Sequence, residues 1–161
     1  MGDDKQVRKV GLISDTHGTL RNGVFQALDG VDLILHAGDI GSPDIITQLE
    51  TIAPVKAVHG NTDGFDIRQR FGDTLELELA GKNIIVTHGH LFGAPTVNAL
   101  RVAFPTADLI MYGHTHNPLL DETAKPVVVN PGAAGPARFK LKPSVALLEL
   151  PSLTIRFVDL G

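Results

Sequence analysis

Cysteine is absent from the 161 residues. That excludes disulfide staples, a thiol nucleophile and thiolate metal sites, so any metal must be held by His, Asp, Glu, Asn or backbone oxygen. No run approaches the roughly 20 apolar residues of a membrane-spanning helix. The opening "MGDDKQVRKVGLIS" has too short an apolar stretch for a secretion signal and runs straight into a strand pattern, so "MGDD" is a poor acylation context. No Lys/Arg block stands out, and the formal net charge is −4. Nothing in the charge pattern therefore supports nucleic-acid binding. Low-complexity linkers, internal repeats and a Gly-x-Ser-x-Gly elbow are missing as well. The expectation is one domain over residues 1–161, cytoplasmic and without a membrane partner.

What the chain does have is a series of short, β-branched apolar runs that read as buried strands. They are "KVGLIS", "VDLILHAG", "PVKAVHG", "NIIVT", "DLIMYG" and "KPVVVNPG". Helical stretches fall between the early ones. Val24–Leu28 is short. "SPDIITQLE" offers Ser42 as N-cap and Pro43 at the first helical position, and "APTVNALRVAF" offers Pro95 near a start. This alternation predicts βαβ units with parallel pairing. Two hairpins are predicted as well: "DTLELELAGKNIIVT" turning at Ala80-Gly81, and "SVALLELPSLTIRFVDL" bent at Pro151-Ser152. Two packed sheets with helices outside accommodate both kinds of unit. The "TIRFVDL" segment is a candidate edge strand for a homo-oligomer.

Position is the informative property of the polar residues. Of seven histidines, His17, His88, His90, His114 and His116 fall in or just after strand ends. Asp15, Asp39 and Asn61 fall at equivalent places. In open α/β sheets, sites form beyond the carboxyl ends of strands. Each fragment alone has a plain explanation as a capped turn, a tight turn or a solvent loop. Together they supply imidazole and carboxylate ligands suited to first-row metals. Two divalent ions about 3.5–4 Å apart need a carboxylate between them, and they clamp in-line phosphoryl chemistry. Asp39 is the candidate bridge, because its strand is expected between those of Asp15 and Asn61.

"DTH", "GD", "GN", "THGH" and "GHTH", in that order over Gly11 to Gly132, resemble the calcineurin-like metallophosphoesterases. The short chain and its "NPG" are similar to the small bacterial phosphodiesterase branch. The resemblance implies an α/β fold of two packed mixed β-sheets flanked by helices, a four-layer αββα sandwich. It implies a first metal on Asp15, His17, Asp39 and His116, and a second on Asp39, Asn61, His88 and His114. Two divalent ions (Mn, Zn, Ni or Fe, with Mn favoured) and a small phosphoester substrate follow, with hydrolysis by a metal-bridging hydroxide. Phosphomonoesterase or nucleotide pyrophosphatase chemistry uses the same site. The fold also serves in the retromer coat as a protein-binding platform that has lost several ligand residues.

One departure matters. Many superfamily members carry His directly after the Asn of "GN", as a proton donor. Here that residue is Thr62. Asp63 and His90 are then candidates for proton transfer or ligand support, and Asn61 and His90 for neutralising phosphoryl charge. His36 and His59 read as packing or support residues. Arg68, Arg70 and Arg138 are within sequence reach of a substrate phosphate, although solvated surface roles are commoner. "NPGAAGP" reads as a rigid turn, and Phe92 and Tyr112 as apolar packing.

Overall fold

The computed structural model describes residues 7–136 and 141–161. Arg138 and the "MGDD" start lie outside them. Among the described residues, ten strands form two five-stranded sheets. Strands β1 (Lys9–Ile13), β2 (Leu33–His36) and β3 (Val55–Ala57) run parallel, and β9 (Ser144–Glu149) and β10 (Thr154–Asp159) add antiparallel, in the order β10-β9-β1-β2-β3. The second sheet holds β4 (Thr74–Leu79), β5 (Lys82–Thr87), β6 (Leu109–Met111), β7 (Leu119–Asp121) and β8 (Val127–Asn130) in the order β4-β5-β6-β8-β7. Strands β5, β6 and β8 are parallel, and β4 and β7 are antiparallel edges.

The layers follow from side-chain alternation. Leu12, Leu35, Val86, Met111 and Ala146 meet between the sheets as one buried cluster. The other face of the first sheet, with Ile13 and Ile34, is covered by α1 (Asn22–Ala27), α2 (Pro43–Leu49) and α3 (Phe65–Arg70), through Val24, Ile45, Ile46 and Ile67. The outer face of the second sheet packs Ile85 and Ile110 on Leu100 of α4 (Val97–Ala103). This is the four-layer arrangement expected.

Local chemistry explains most boundaries. Ser42 caps α2 by accepting the Asp44 N–H, with Pro43 inside the first turn. For α4 the cap is Thr96, which accepts the Ala99 N–H at 3.1 Å, rather than Pro95. The β4–β5 turn has both Ala80 (φ 51) and Gly81 (φ 79) left-handed, the geometry of a two-residue hairpin. Helix α1 starts two residues before the predicted Val24. Helix α3 and strand β7 have no counterpart in the sequence reading. They are short, and α3 buries only Ile67, too little for a periodic signal.

The parallel β1–β2 ladder continues past its strand ends. Asp15 donates to Gly38 O (3.0 Å), His17 to Asp39 O (2.9 Å) and Gly18 to Ile40 O (2.8 Å). A buried polar chain supports these loops from below. The Gly38 N–H donates to His36 Nδ1 (3.1 Å), which leaves Nε2 as the protonated nitrogen, 3.0 Å from Thr16 Oγ1. The Thr16 hydroxyl donates in turn to Ile40 O at 2.8 Å.

His36 is fully buried, and desolvation holds its pKa down to about 4, against the pull of the Asp15 and Asp63 carboxylates. The unfolded chain takes up a proton at His36 as pH falls below 6.5, while the folded one refuses it until about 4. The His36 contribution is therefore complete above pH 6.5 and lost between 6.5 and 4. It amounts to about 3 kcal/mol at most. Urea unfolding of the wild type is expected to lose stability across that window more steeply than His36→Gln, whose amide takes no proton. Equal slopes would contradict this assignment.

Candidate metal centre

The seven expected ligands come from the carboxyl ends of five parallel strands. Asp15 and His17 follow β1, Asp39 follows β2, Asn61 follows β3, His88 follows β5, and His114 and His116 follow β6. Strand β2 lies between β1 and β3, so Asp39 stands between Asp15 and Asn61. All seven meet where the two sheets face each other.

Two sets of donor atoms converge. Asp15, His17 and His116 present ligand atoms within 4.8 Å of one another, and so do Asp15, Asp39 and His88. His116 Nε2 lies 3.4 Å from Asp15 Oδ1 and 3.3 Å from His17 Nε2. His88 Nε2 lies 3.2 Å from Asp39 Oδ2 and 3.8 Å from Asp15 Oδ1. His114 stands on the other side, with Nδ1 3.2 Å from Asn61 Oδ1 and its ring 5.1 Å from that of His88. The two histidines of "GHTH" thus address different points. Asp15 is as central as Asp39, where the sequence reading made Asp39 alone the bridge.

The carboxylates are held alike. Asp15 Oδ2 accepts the Ser14 hydroxyl (2.6 Å) and the His114 N–H (3.1 Å), which leaves Oδ1 to face the site. Asp39 Oδ1 accepts the Thr62 N–H (2.9 Å), which leaves Oδ2. His88 donates Nδ1–H to Ala37 O (2.8 Å), so Nε2 is its free lone pair. Asp15 Oδ1 and His88 Nε2 are buried with no hydrogen-bond partner among the described residues. Unpaired buried acceptors facing one another are costly unless a cation lies between them. The all-N/O donor set, carboxylate below and imidazole above, fits a divalent first-row ion. Burial opposes charge on His88, but the Asp39 and Asp15 carboxylates outweigh it and raise its pKa. Burial likewise works against charge on Asp15 and Asp39. Their hydrogen bonds and the neighbouring histidines hold both below the usual carboxylate range.

Backbone strain marks the same residues. Asp15, His17, Asp39, His114 and His116 all have positive φ, between 49° and 72°. Such backbone costs on the order of 1 kcal/mol or more at each non-glycine position, and it turns side chains that would otherwise splay toward one centre. Asn61, the residue type most tolerant of that conformation, is not among them. Close approach adds a second requirement. A Cβ on Gly60 would run into the Asp39 carboxylate, and one on Gly113 into Ser14 Oγ and Asp15 Oδ2.

The remaining candidates separate. His90 sits beside the ligands, its ring 5.5 Å from His88 and 6.2 Å from His59, with Nδ1 buried and unpartnered. Burial and the neighbouring His88 lower its pKa. Asp63 is not placed for proton transfer. It is 4% exposed, and its two oxygens accept three backbone N–H groups, those of Ile40, Gly41 and Gly60. Arg70 pairs with Glu50 at 3.8 Å and stacks on Phe71, a surface role. Arg68 donates to backbone carbonyls. Asn130, which the sequence reading took only as part of a turn, is fully buried. It donates to Gly113 O and Thr115 Oγ1 while accepting from Gly132 N, and so ties the "NPG" turn to "GHTH". Arg21 was also missed; its Nε donates to Gly135 O, beside the Asp15 backbone.

Comparison with known proteins accords with this geometry. Residues 9–152 match the calcineurin-like phosphoesterase superfamily domain. A probable metallophosphoesterase of Methanothermobacter thermautotrophicus is 38% identical, over 93% of this chain and 86% of that protein. A phosphodiesterase of Methanocaldococcus jannaschii is 30% identical, over 77% of this chain and 82% of that one. A solved archaeal phosphodiesterase superposes with TM-score 0.76 at 27% identity, over 94% of this chain and 99% of its own. Zinc-bound Vps29 from Entamoeba histolytica superposes with TM-score 0.78 over 95% and 99%. At 22% identity it attests the fold alone. Two mixed sheets under helices, a histidine–carboxylate centre at their joined strand ends and a family match across nearly the whole chain lead to one conclusion: the chain belongs to the calcineurin-like phosphoesterase superfamily.

Proposed function

We propose that this chain is a metal-dependent phosphodiesterase working through two divalent ions. The observation that carries the reading is the pair of buried, unpartnered acceptors, Asp15 Oδ1 and His88 Nε2, facing each other beside Asp39 Oδ2. In this assignment Asp15, His17, Asp39 and His116 hold the first ion, and Asp39, Asn61, His88 and His114 the second, with Asp15 close to both. The carboxylate and amide oxygens of this set suit manganese, and its four imidazoles suit zinc, nickel or iron as well. When bound, the ions supply positive charge against the phosphoryl oxygens and a nucleophile available at neutral pH.

The protein's own groups divide the remaining work. Ser14, Thr62 and Ala37 fix one face of each central ligand, so that only one atom of each is offered inward. The Asn61 amide adds a ligand oxygen without adding negative charge. His90, whose pKa is lowered by burial and by His88, stands beside the site within reach of a substrate oxygen as an N–H donor. Thr62 brings only a hydroxyl to the place where many members of the superfamily carry a proton-donating histidine. Good leaving groups are therefore favoured. That property and the relatives named phosphodiesterase favour diesters with acidic leaving groups over alkyl monoesters.

Chelator-stripped protein resupplied with Mn²⁺, Ni²⁺ or Zn²⁺ and assayed on mono- and diesters is expected to hydrolyse diesters, and only with metal. Metal binding without turnover on any ester would instead support a scaffold. Asp39→Asn and His114→Ala should each lower metal-dependent turnover at least 100-fold while a cooperative thermal transition is kept. Unchanged rates in both would refute the assignment. Gly60→Ala should likewise weaken metal binding, because its methyl displaces the Asp39 carboxylate; dialysis against Mn²⁺ reads this out directly.

A further inference from the structure

Asn61 is the least rigidly founded of the seven ligands. Strand β3 has only three residues and lies at the edge of its sheet, so its end has one neighbour rather than two. The turn that carries Asn61 has one backbone bond of its own, from the Asp63 N–H to Gly60 O at 3.3 Å. Side chains provide the rest. The Asp63 carboxylate accepts the Gly60 N–H (2.8 Å) on this turn, and the Ile40 (3.1 Å) and Gly41 (2.9 Å) N–H groups immediately after Asp39. This buried carboxylate joins the Thr62 N–H bond to Asp39 Oδ1 (2.9 Å) in tying the Asn61 turn to the Asp39 loop. From α3, Arg68 donates Nε–H to Asp63 O (2.7 Å) and an Nη2 hydrogen to Asn61 O (3.2 Å). Its planar fork grips the two carbonyls that flank Thr62.

We propose that Asp63 and Arg68 are positioning residues forming a clamp that sets Asn61 against Asp39 and so governs how firmly the second metal position is held. This rests on the two-ion reading above. The first position uses Asp15, His17 and His116 with Asp39; of these only Asp39 meets the clamp, through the Asp63 bonds to Ile40 and Gly41 and its own bond from the Thr62 N–H. Loosening the clamp at Arg68, which grips the Asn61 turn alone, therefore weakens the second position more than the first. Charge is not the operative property of Arg68. Two carbonyls aligned by one guanidinium need its fixed geometry, and a lysine ammonium cannot reproduce that. The buried Asp63 acts through its two oxygens, and an amide in its place turns an N–H against one of the three donors.

The test is calorimetric titration of the full, chelator-stripped chain with Mn²⁺, for the wild type, Asp63→Asn, Arg68→Met and Arg68→Lys. Two ions are expected to bind the wild type. In both Arg68 variants the second should weaken about 10- to 100-fold, the range for groups that orient metal ligands, with the first within about three-fold, while Asp63→Asn, which also frees the Asp39 loop, should weaken both. Arg68 is exposed, so its variants report even where Asp63→Asn does not fold. Unchanged affinities, an equal loss at both positions in the Arg68 variants, or full rescue by Arg68→Lys would each overturn the clamp. Fewer than two ions on the wild type would instead overturn the two-ion reading.

Discussion

The confrontation of two buried carboxylates, Asp15 and Asp39, is the constraint that organises this structure. One is wholly enclosed and the other 3% exposed. Each has one oxygen satisfied by the protein and one turned toward the same small space. Left alone, this is an expensive arrangement. Three histidine Nε2 atoms around it, from His17, His88 and His116, offer lone pairs or protons but no permanent positive charge. A cation converts that cost into binding energy, and many otherwise unfavourable details then acquire a reason.

Those details are numerous and local. Left-handed backbone at five non-glycine candidate ligands, glycines pressed against carboxylates, and the buried chain from Gly38 through His36 and Thr16 to Ile40 all oppose the easiest folding of these loops. The apolar layers between and outside the sheets supply the stability that tolerates them. Parallel strands bring their carboxyl ends to one edge. The union of two sheets lets His88 and the "GHTH" histidines meet the aspartates of the first.

Much of this was legible in the sequence. The strand runs, both hairpins and the place of Asp39 between Asp15 and Asn61 follow from apolar patterning and chain order. The seven ligand candidates stand out because their chemistry recurs at strand ends. What the sequence could not display were tertiary roles. Asp63 looks like one more titratable group, yet its oxygens are consumed by amides that lie 22 and 23 residues away in sequence as well as by the nearby Gly60. Arg21 and Asn130 look like ordinary turn residues until the turns they join are adjacent. Asn61 was the natural candidate for left-handed backbone, while the strain falls on aspartate and histidine, because convergence on one point, not residue preference, decides it. Helix α3 escaped notice because it buries a single side chain, although it carries Arg68.

The central claim is that these side chains hold two ions at defined places. An anomalous difference map from crystals equilibrated with Mn²⁺ tests it most directly. The account predicts two peaks, one among Asp15, His17, Asp39 and His116, and the other among Asp39, Asn61, His88 and His114. A single peak, or manganese bound only at surface carboxylates, would contradict it.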